Sequence, residues 1–220
     1  MIPYAQMASA MEAVQGGALM FFNEAMGITA AVLALADIVI YILAIYGRDY
    51  LFRRLPKEKW TVPNRATWLI LAGIGILIAI SYKETGATDT VWLPMAYAFG
   101  FSTVALLSLK HGEGGHTILD LICLVGAGLA ALVWWKYDSP GLPLTIGLLM
   151  ETFAATPTIK KAWVEPSKES RLAWTLSFLA SVANIFALTW ETSTFWIILL
   201  PVWILILNGL ITAPLYLKNR

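Results

Sequence analysis

The sequence predicts an all-α integral membrane protein, with seven transmembrane helices arranged as two parallel three-helix repeats joined by a linker helix. Three observations lead to this prediction: the composition, the apolar runs, and a set of residues that recurs late in the chain. Hydrophobic residues make up 59% of the 220 residues and charged residues 13%, against about 45–50% and about 25% in soluble domains. We therefore expect a bilayer to surround most of the chain, and about seven spans of roughly 20 residues account for its length.

Seven apolar runs have the length that a helix needs to cross a bilayer. They cover residues 27–46, 67–82, 91–109, 118–135, 142–159, 172–190 and 195–217. The first 26 residues contain Gln6, Glu12 and Gln15 among Met and Phe, and this mixture is too polar to span comfortably. We expect residues 1–26 to form an interfacial helix on the outer membrane surface.

Lysine and arginine are distributed unequally between alternate loops of the seven predicted spans. Thirteen fall on one side and two, Lys83 and Lys136, on the other. Because basic residues remain cytoplasmic, we predict a plasma membrane of the bacterial inner-membrane type, with the N-terminus outside and the C-terminus inside. The thirteen are Arg48, Arg53, Arg54, Lys57, Lys59, Arg65, Lys110, Lys160, Lys161, Lys168, Arg171, Lys218 and Arg220.

An internal repeat divides the chain. Three residues of one helix pair recur in a later pair, displaced by 106, 107 and 108 positions, and Asp37 in an earlier apolar run is echoed by Glu151. These patterns predict a first repeat at 27–110, a linker helix at 111–140 and a second repeat at 141–220. Three spans leave the chain on the opposite side of the membrane, and the linker helix returns it to the side on which the first repeat began. The two repeats therefore have the same orientation and are related by an axis along the membrane normal. The recurring sets are Trp68, Pro94, Lys110 and Trp174, Pro201, Lys218.

Asp37 and Glu151 are the first candidates for function. An acid in the middle of a span costs about 2.5–3.5 kcal/mol on insertion scales, so each must face a polar interior or stay protonated. One interpretation is that each acid binds a neighbouring hydroxyl and only holds helices together. The other, which their duplication favours, is that both line a central cavity and contact a substrate, an ion or a proton.

Amides, one tryptophan and three prolines extend the predicted site. Asn184 and Asn208 lie within the last two spans, where an amide either joins helices or binds substrate. Trp203 lies deeper than the other tryptophans, which mostly lie near span ends. A proline removes one helical hydrogen bond and can act as a hinge. The hinge candidates are Pro157, Pro94 and Pro201.

Other chemistries have little support in the sequence. The HGEGGH segment, with His111, Glu113 and His116, has neither helical nor zinc-finger spacing, and its glycines favour a tight turn over a metal site. Cys123 is the single cysteine and is expected to be a small buried hydrophobic residue. Phosphate-loop, nucleophile-elbow and HExxH motifs are absent from the sequence. The net charge of +1 does not indicate a basic surface that binds nucleic acid. We expect no enzyme activity, no metal and no cofactor.

Residues 155–188, ATPTIKKAWVEPSKESRLAWTLSFLASVANIFAL, resemble the PQ-loop repeat of the SWEET, SemiSWEET and lysosomal amino-acid transporter families. The matching features are Pro157, the basic pair Lys160 and Lys161, a serine-containing loop and a second helix with Asn184. The layout of three helices, one linker and three helices is also similar to a full-length SWEET. The resemblance implies that Asn208, in the third helix of the repeat, faces the substrate.

These patterns predict a small-solute transporter that works by alternating access between two three-helix bundles. Its predicted partners are the lipid bilayer and a small-molecule solute, with proton coupling and a homo-oligomer or larger membrane complex left open. The alternative is a non-transporting membrane subunit or assembly scaffold that retains the repeat fold. The first copy favours this alternative, because it has no proline where the second has Pro157.

Overall fold

In the described part of the computed structural model, the regular structure consists of seven α-helices and one short 3-10 helix, apart from an isolated bridge between Arg48 and Arg54. The structure describes residues 4–49, 51–54, 56, 60, 62–63, 65–112, 118–137, 139–166, 169–189 and 193–217. The 3-10 helix, Asp89–Val91, leads directly into the third α-helix. The α-helices are α1 (Tyr4–Ile45), α2 (Arg65–Glu84), α3 (Trp92–His111), α4 (Ile118–Tyr137), α5 (Gly141–Val164), α6 (Arg171–Phe186) and α7 (Phe195–Leu217).

The predicted all-helical class is confirmed, and the membrane character with it. By length and composition, four helical segments in the described part can cross a bilayer: Gln15–Ile45, Arg65–Glu84, Asp89–His111 and Phe195–Leu217. Helix α5 adds a fifth if its two parts, Gly141–Thr156 and Thr158–Val164, count as one bent span, and α6 is a shorter apolar helix. Large apolar side chains on the outer faces of these helices are exposed, as expected for contact with lipid. The protein is therefore an integral membrane protein.

Helix boundaries differ from the predicted runs by more than two residues in three places. Helix α1 continues without a break from Tyr4 through the boundary predicted after residue 26. At about 1.5 Å per residue, its 42 residues extend about 63 Å, which is about twice the thickness of a hydrocarbon core. Helix α5 reaches Val164, and α6 ends at Phe186 before the predicted residue 190. Apolar composition does not locate these ends, because a helix continues wherever its backbone hydrogen bonds do.

The helices pack in two sets of matching contacts. Helix α1 packs against α3 and α6, while α5 packs against α7 and α2. In addition, α2 packs against α3 and α6 against α7, and α4 lies mainly against α5. The main buried cluster joins side chains of α1, α2, α3, α5, α6 and α7, among them Ala34, Leu93, Leu148, Ala180 and Leu200. Small residues on α1 and α6 allow these two backbones to approach closely.

Polar contacts tie the helix ends together. At the end where α2 finishes and α7 begins, Tyr82 Oη lies 2.6 Å from Thr90 Oγ1 and donates to Ile197 O at 2.7 Å. At the opposite end of α2, Arg65 Nη2 donates to Gly112 O at 2.9 Å, just beyond the end of α3. These contacts fix α2 against its neighbours at both ends.

Several residues used in the sequence predictions lie outside the described part of the structure. Glu113 and His116 of the HGEGGH segment belong to this group, as does Lys218 of the repeat. The side chains of Cys123 and Pro157 also lie outside it, although the helices that carry them are described.

Candidate functional site

A polar cluster lies in the interior of the helix bundle, where four helices meet. Asp37 comes from α1, Tyr97 from α3, Ser177 and Ser181 from α6, and Asn208 from α7. Ser177, Ser181 and Asn208 are buried, as is Tyr97, while Asp37 is half-buried. Each residue is surrounded by an apolar helix face, so the cluster is a polar site inside an otherwise apolar protein.

The contact at the centre of the cluster joins Asp37 to Ser177. The Ser177 hydroxyl donates to Asp37 Oδ2 at 2.5 Å, at the short end of the range for a hydroxyl bound to a carboxylate. The two residues are 140 positions apart, and the close packing of α1 against α6 brings them together. A carboxylate so placed can accept the proton of a hydroxyl group, which is the role of a general base.

Asn208 connects this pair to the rest of the cluster. Its Nδ2 lies within hydrogen-bond distance of three acceptors: Ser181 Oγ at 2.7 Å, Ser177 O at 3.1 Å and Tyr97 Oη at 3.4 Å. The amide is thereby held against α6 and α3 at the same time. Tyr97 stacks on Phe101 and is close enough to interact electrostatically with both Asp37 and Glu151.

Glu151 and Trp203 lie on the neighbouring helices. Trp203 Nε1 donates to Thr152 Oγ1 at 2.9 Å, and Thr152 Oγ1 in turn donates to Leu148 O. Glu151 Oε2 is buried and has no hydrogen-bond partner among the described residues. Unlike Asp37, Glu151 therefore presents a carboxylate oxygen that no donor among the described residues satisfies.

Asn184 is fully buried on α6, and neither polar atom of its side chain has a hydrogen-bond partner in the described part of the structure. Buried polar atoms of this kind are rare in folded proteins, because each costs the hydrogen bond that it made with water. Asn184 lies one turn beyond Ser181 on the same side of α6, so it borders the cluster described above.

The predicted hinge prolines occupy different helical positions. The bend of 42° in α5 falls between Thr156 and Thr158, which places it at Pro157. Pro94 lies in the first turn of α3, where the missing N–H would have had no helical partner. Pro201 lies inside α7, as does Pro214. Motion about any of these prolines stays a prediction.

The sequence analysis named four polar residues of the site and missed three. Asp37, Glu151, Asn184 and Asn208 stand out because acids and amides are rare in apolar runs. Tyr97, Ser177 and Ser181 were missed, because tyrosine is common at span ends and serine is common at helix contacts. The spacing of Ser177, Ser181 and Asn184 by four and then three residues was an available signal, since it puts all three on one helix face. Within the described residues, no group of three or more His, Cys, Asp or Glu side chains could hold a metal ion.

Two curated relatives match part of the chain, and both are named glycerol-3-phosphate acyltransferase. The protein from Methylorubrum populi is 34% identical over 73 residues, in a match that covers 29% of this chain and 33% of that protein. The protein from Methylorubrum extorquens is 33% identical over 70 residues, with the same coverage. The chain thus matches about a third of the length of these relatives. No family model matches, and no solved structure matches.

These relatives correct three predictions. The resemblance to PQ-loop and SWEET transporters is wrong, since no family model matches and the similar proteins carry an acyltransferase name. The prediction of small-solute transport is wrong for the same reason, and so is the prediction that the chain is no enzyme. The alternative of a non-transporting subunit also has no support among these relatives. The error arose because many membrane proteins share this number of helices, this alternation of loops between the two sides of the membrane, and a proline near basic residues.

Proposed function

We propose that this chain is a membrane-embedded acyltransferase that moves an acyl group from an activated donor to a hydroxyl of a small acceptor. The similarity to glycerol-3-phosphate acyltransferases over 29% of the chain is the observation that carries the proposal. The Asp37–Ser177 pair suggests where the reaction would take place, because it joins a base and a hydroxyl inside an apolar helix bundle. Acylation of a glycerol derivative yields a lipid, and a bilayer protein is suited to release such a product.

In the proposed reaction, Asp37 acts as general base. The acceptor hydroxyl loses its proton to Asp37 as its oxygen attacks the donor carbonyl carbon, and the bond from that carbon to the leaving group X breaks. The proton then passes to X, so that R–CO–X and HO–R′ become R–CO–O–R′ and HX. Ser177 is a positioning residue, since its hydroxyl bond fixes Asp37 in one orientation. The Tyr97 hydroxyl, whose oxygen accepts from Asn208 Nδ2, is the proposed donor for the oxyanion that forms at the carbonyl.

The acyl chain would reach this site from the bilayer. Exposed apolar side chains cover the outer faces of the helices that carry the pair, including Leu35 and Val39 on α1 and Leu179 on α6. An acyl chain lying between lipid and these helices has its reactive end close to the protein interior. The acceptor is polar and would enter from water at one end of the bundle.

We also propose the finer architecture of two three-helix units, α1–α3 and α5–α7, with α4 as linker. The matching contacts support it, because the first and third helices pack together in each unit and the first helix of each packs against the second helix of the other. Such a pattern is expected of two units related by a twofold axis. In this arrangement all seven helices span the bilayer, with the N-terminus outside, as the distribution of basic residues favours.

An acylation assay with the purified chain in nanodiscs tests the proposed function. Glycerol, 3-amino-1,2-propanediol and glycerol 3-phosphate serve as acceptors, each with a radiolabelled acyl thioester or acyl phosphate, and the acylated product is measured by chromatography. We expect wild-type protein to form product with at least one acceptor. The Asp37→Asn variant should lose about 10²–10⁴-fold in rate, which is the usual contribution of a general base.

Two further variants test whether the loss of acylation rate is specific to Asp37. Ser177→Ala should lose less rate than Asp37→Asn, because the base remains and only its orientation is freed. Glu24→Gln, an acid on the exposed side of the same helix, should keep wild-type activity. Absence of product with every donor and acceptor, or an Asp37→Asn variant as active as wild type, would contradict the proposal.

A further inference from the structure

We propose that the turn of residues 48–54, just beyond α1, binds anionic phospholipid at the membrane surface. The apolar tip of this turn, Leu51 and Phe52, enters the headgroup layer. The guanidinium groups of Arg48 and Arg54 bind the phosphates of the lipid. The turn lies outside the interior site, so lipid binding here does not depend on the proposed acyl transfer.

Hydrogen bonds within the turn hold it in one shape. Asp49 N donates to Arg53 O at 2.9 Å, and Phe52 N donates to Asp49 O at the same distance. An antiparallel bridge joins Arg48 to Arg54 across the turn. Arg48 Nη1 also donates to Phe52 O at 3.0 Å. The chain therefore reverses its direction within these residues, with the apolar tip at the reversal and an arginine on each side of it.

The exposed side chains of the turn are both apolar and cationic. Leu51 is 56% exposed and Phe52 is 67% exposed, and the three arginines are exposed as well. Three arginines and one aspartate give residues 48–54 a net charge of +2. An anionic lipid surface attracts the cations, and the boundary between headgroups and acyl chains accepts the apolar tip. A phospholipid with a net negative charge therefore complements both features of the turn.

The position of the turn along the chain brings it close to the headgroup layer. The segment of α1 that can cross a bilayer ends at Ile45, so Arg48 follows after at most about 11 Å of chain. Tyr46, between them, is exposed. Trp60 packs against Gly47, where a Cβ would collide with the indole ring. Tyrosine and tryptophan side chains favour the level of the headgroups, and these two lie at the base of the turn.

The backbone of Phe52 supports an interaction outside the chain. Its φ is 58°, in the left-handed region that glycine and asparagine adopt readily and a bulky residue adopts rarely. The ring is mostly exposed, so packing against the protein does not offset the cost of this conformation. Burial of the ring among lipid headgroups and acyl chains would offset it, because apolar surface is removed from water.

Thermal unfolding of the full-length protein in a neutral detergent tests the proposed lipid binding. Phosphatidylglycerol, which is anionic, and phosphatidylcholine with the same acyl chains, which has no net charge, are added in separate titrations. A ligand that binds the folded state raises the Tm as its concentration rises. We expect a larger rise with phosphatidylglycerol than with phosphatidylcholine. The difference should shrink between about 0.05 M and about 0.5 M salt, because salt screens exposed charges.

Three variants assign the phosphatidylglycerol effect to the turn. Arg54→Gln keeps the backbone bridge and removes one charge, so the apparent affinity for phosphatidylglycerol should fall about fivefold. Lys136→Gln, an exposed cation at the end of α4, should behave as wild type. Phe52→Asn should raise the Tm in detergent alone, because asparagine tolerates the left-handed conformation, and should nevertheless reduce the rise caused by phosphatidylglycerol. These opposite effects separate lipid contact from the stability of the turn.

A nitroxide label on Leu51→Cys, in a Cys123→Ser background, reports the depth of the tip. Collisions with oxygen, which enters lipid, are compared with collisions with a water-soluble nickel chelate. The comparison uses vesicles of phosphatidylcholine alone and of equal amounts of phosphatidylcholine and phosphatidylglycerol. We expect oxygen to gain relative to nickel when phosphatidylglycerol is present.

Three results would overturn the proposed lipid binding. The first is a tip label that favours nickel equally in both vesicles, which would leave a protein as the partner of the tip. The second is an equal loss of phosphatidylglycerol affinity in Arg54→Gln and Lys136→Gln, which would indicate attraction to the whole protein. The third is a Tm shift with glycerol 3-phosphate that Arg54→Gln abolishes, because the turn would then bind a soluble phosphate.

Discussion

Asp37 and Glu151 are predicted to occupy corresponding places in two halves of the chain, yet their surroundings differ. Asp37 accepts a hydrogen bond from Ser177, while Glu151 Oε2 has no partner within the described residues. The corresponding helices α6 and α2 explain the difference, because α6 presents serine hydroxyls to α1 and α2 presents apolar side chains such as Ile78 to α5. One acid is therefore hydrogen-bonded by the protein itself, and the other has a carboxylate oxygen without a partner among the described residues.

Asp49 shows a carboxylate fully satisfied by the chain itself. It lies just beyond α1, where its Oδ1 accepts from Leu51 N and Arg53 N and its Oδ2 pairs with Arg53 Nε at 2.7 Å. Desolvation is the largest single effect and raises the pKa of the Asp49 carboxyl, but the hydrogen bonds from Arg53 and Leu51 and the charge of Arg53 together lower that pKa below its ordinary value of 3.8. A charged group therefore holds Asp49, Leu51 and Arg53 together just beyond α1.

This lowered pKa predicts how the loop responds to acid. A carboxyl with a lower pKa in the folded state stabilises above its unfolded pKa and loses that contribution as the pH falls through its folded value. Amide hydrogen exchange at Leu51 and Arg53, corrected for intrinsic rates, should thus be protected at pH 5–7 and lose protection below about pH 3.8. Asp49→Asn should remove this pH dependence. Protection that stays constant down to pH 2 would show that Asp49 does not order the loop.

The residues of the interior site were predictable to the extent that they are unusual in a membrane helix. An acid such as Asp37 is costly in lipid, so its presence signals a polar environment without any knowledge of the fold. Ser177 carries no such signal, because its hydroxyl can bond within its own helix. Its role follows only from the contact of α6 with α1, which joins residues 140 positions apart, and no local pattern encodes that pairing.

At the scale of elements, close backbone approach decides where the helices can pack. Gly27 of α1 faces the 3-10 helix, and a Cβ at this position would collide with the main-chain oxygen of Asp89. Gly73 of α2 is exposed, and a Cβ there would meet nothing within 4 Å. The two glycines share a helical conformation and differ in their neighbours, so they form a matched pair.

Alanine at the two positions should have opposite effects on stability. The Cβ added by Gly27→Ala forces α1 away from the 3-10 helix and should lower the free energy of unfolding by about 1–3 kcal/mol. Gly73→Ala adds helix propensity without a clash and should raise it by about 0.5–1 kcal/mol. Thermal unfolding in one detergent measures both. Equal effects of the two substitutions would mean that α1 does not contact the 3-10 helix as described.

Helix positions were predictable and helix ends were not. The apolar run at 195–217 matches α7, Phe195–Leu217, because both its ends coincide with a change from apolar to polar residues. Helix α1 passes through the boundary predicted after residue 26, because its helical backbone continues through the preceding segment GGALMFF. Composition thus locates the lipid-facing part of a helix, while hydrogen bonding decides how far the helix extends.

For the whole molecule, the proposed orientation in the bilayer rests on the distribution of charge. In the proposed arrangement of seven spans, basic residues collect at the end where α2 begins and α3 finishes, with Arg65 and Lys110 among them. Lys83 and Lys136 lie at the other end. An excess of this size favours insertion with the basic end in the cytoplasm, because loops rich in Lys and Arg tend to stay on that side.

Single cysteines in a Cys123→Ser background test this orientation, at four exposed positions that alternate along the chain. We expect a membrane-impermeant maleimide to label Val62→Cys and Lys110→Cys from the cytoplasmic side, and Thr88→Cys and Tyr137→Cys from the outside. The sides must alternate, because each pair of neighbouring positions is separated by one proposed span. Labelling of Thr88→Cys and Lys110→Cys from the same side would mean that α3 does not cross the bilayer. Reversal of all four would keep the spans and refute the orientation, because the basic end would then face outward.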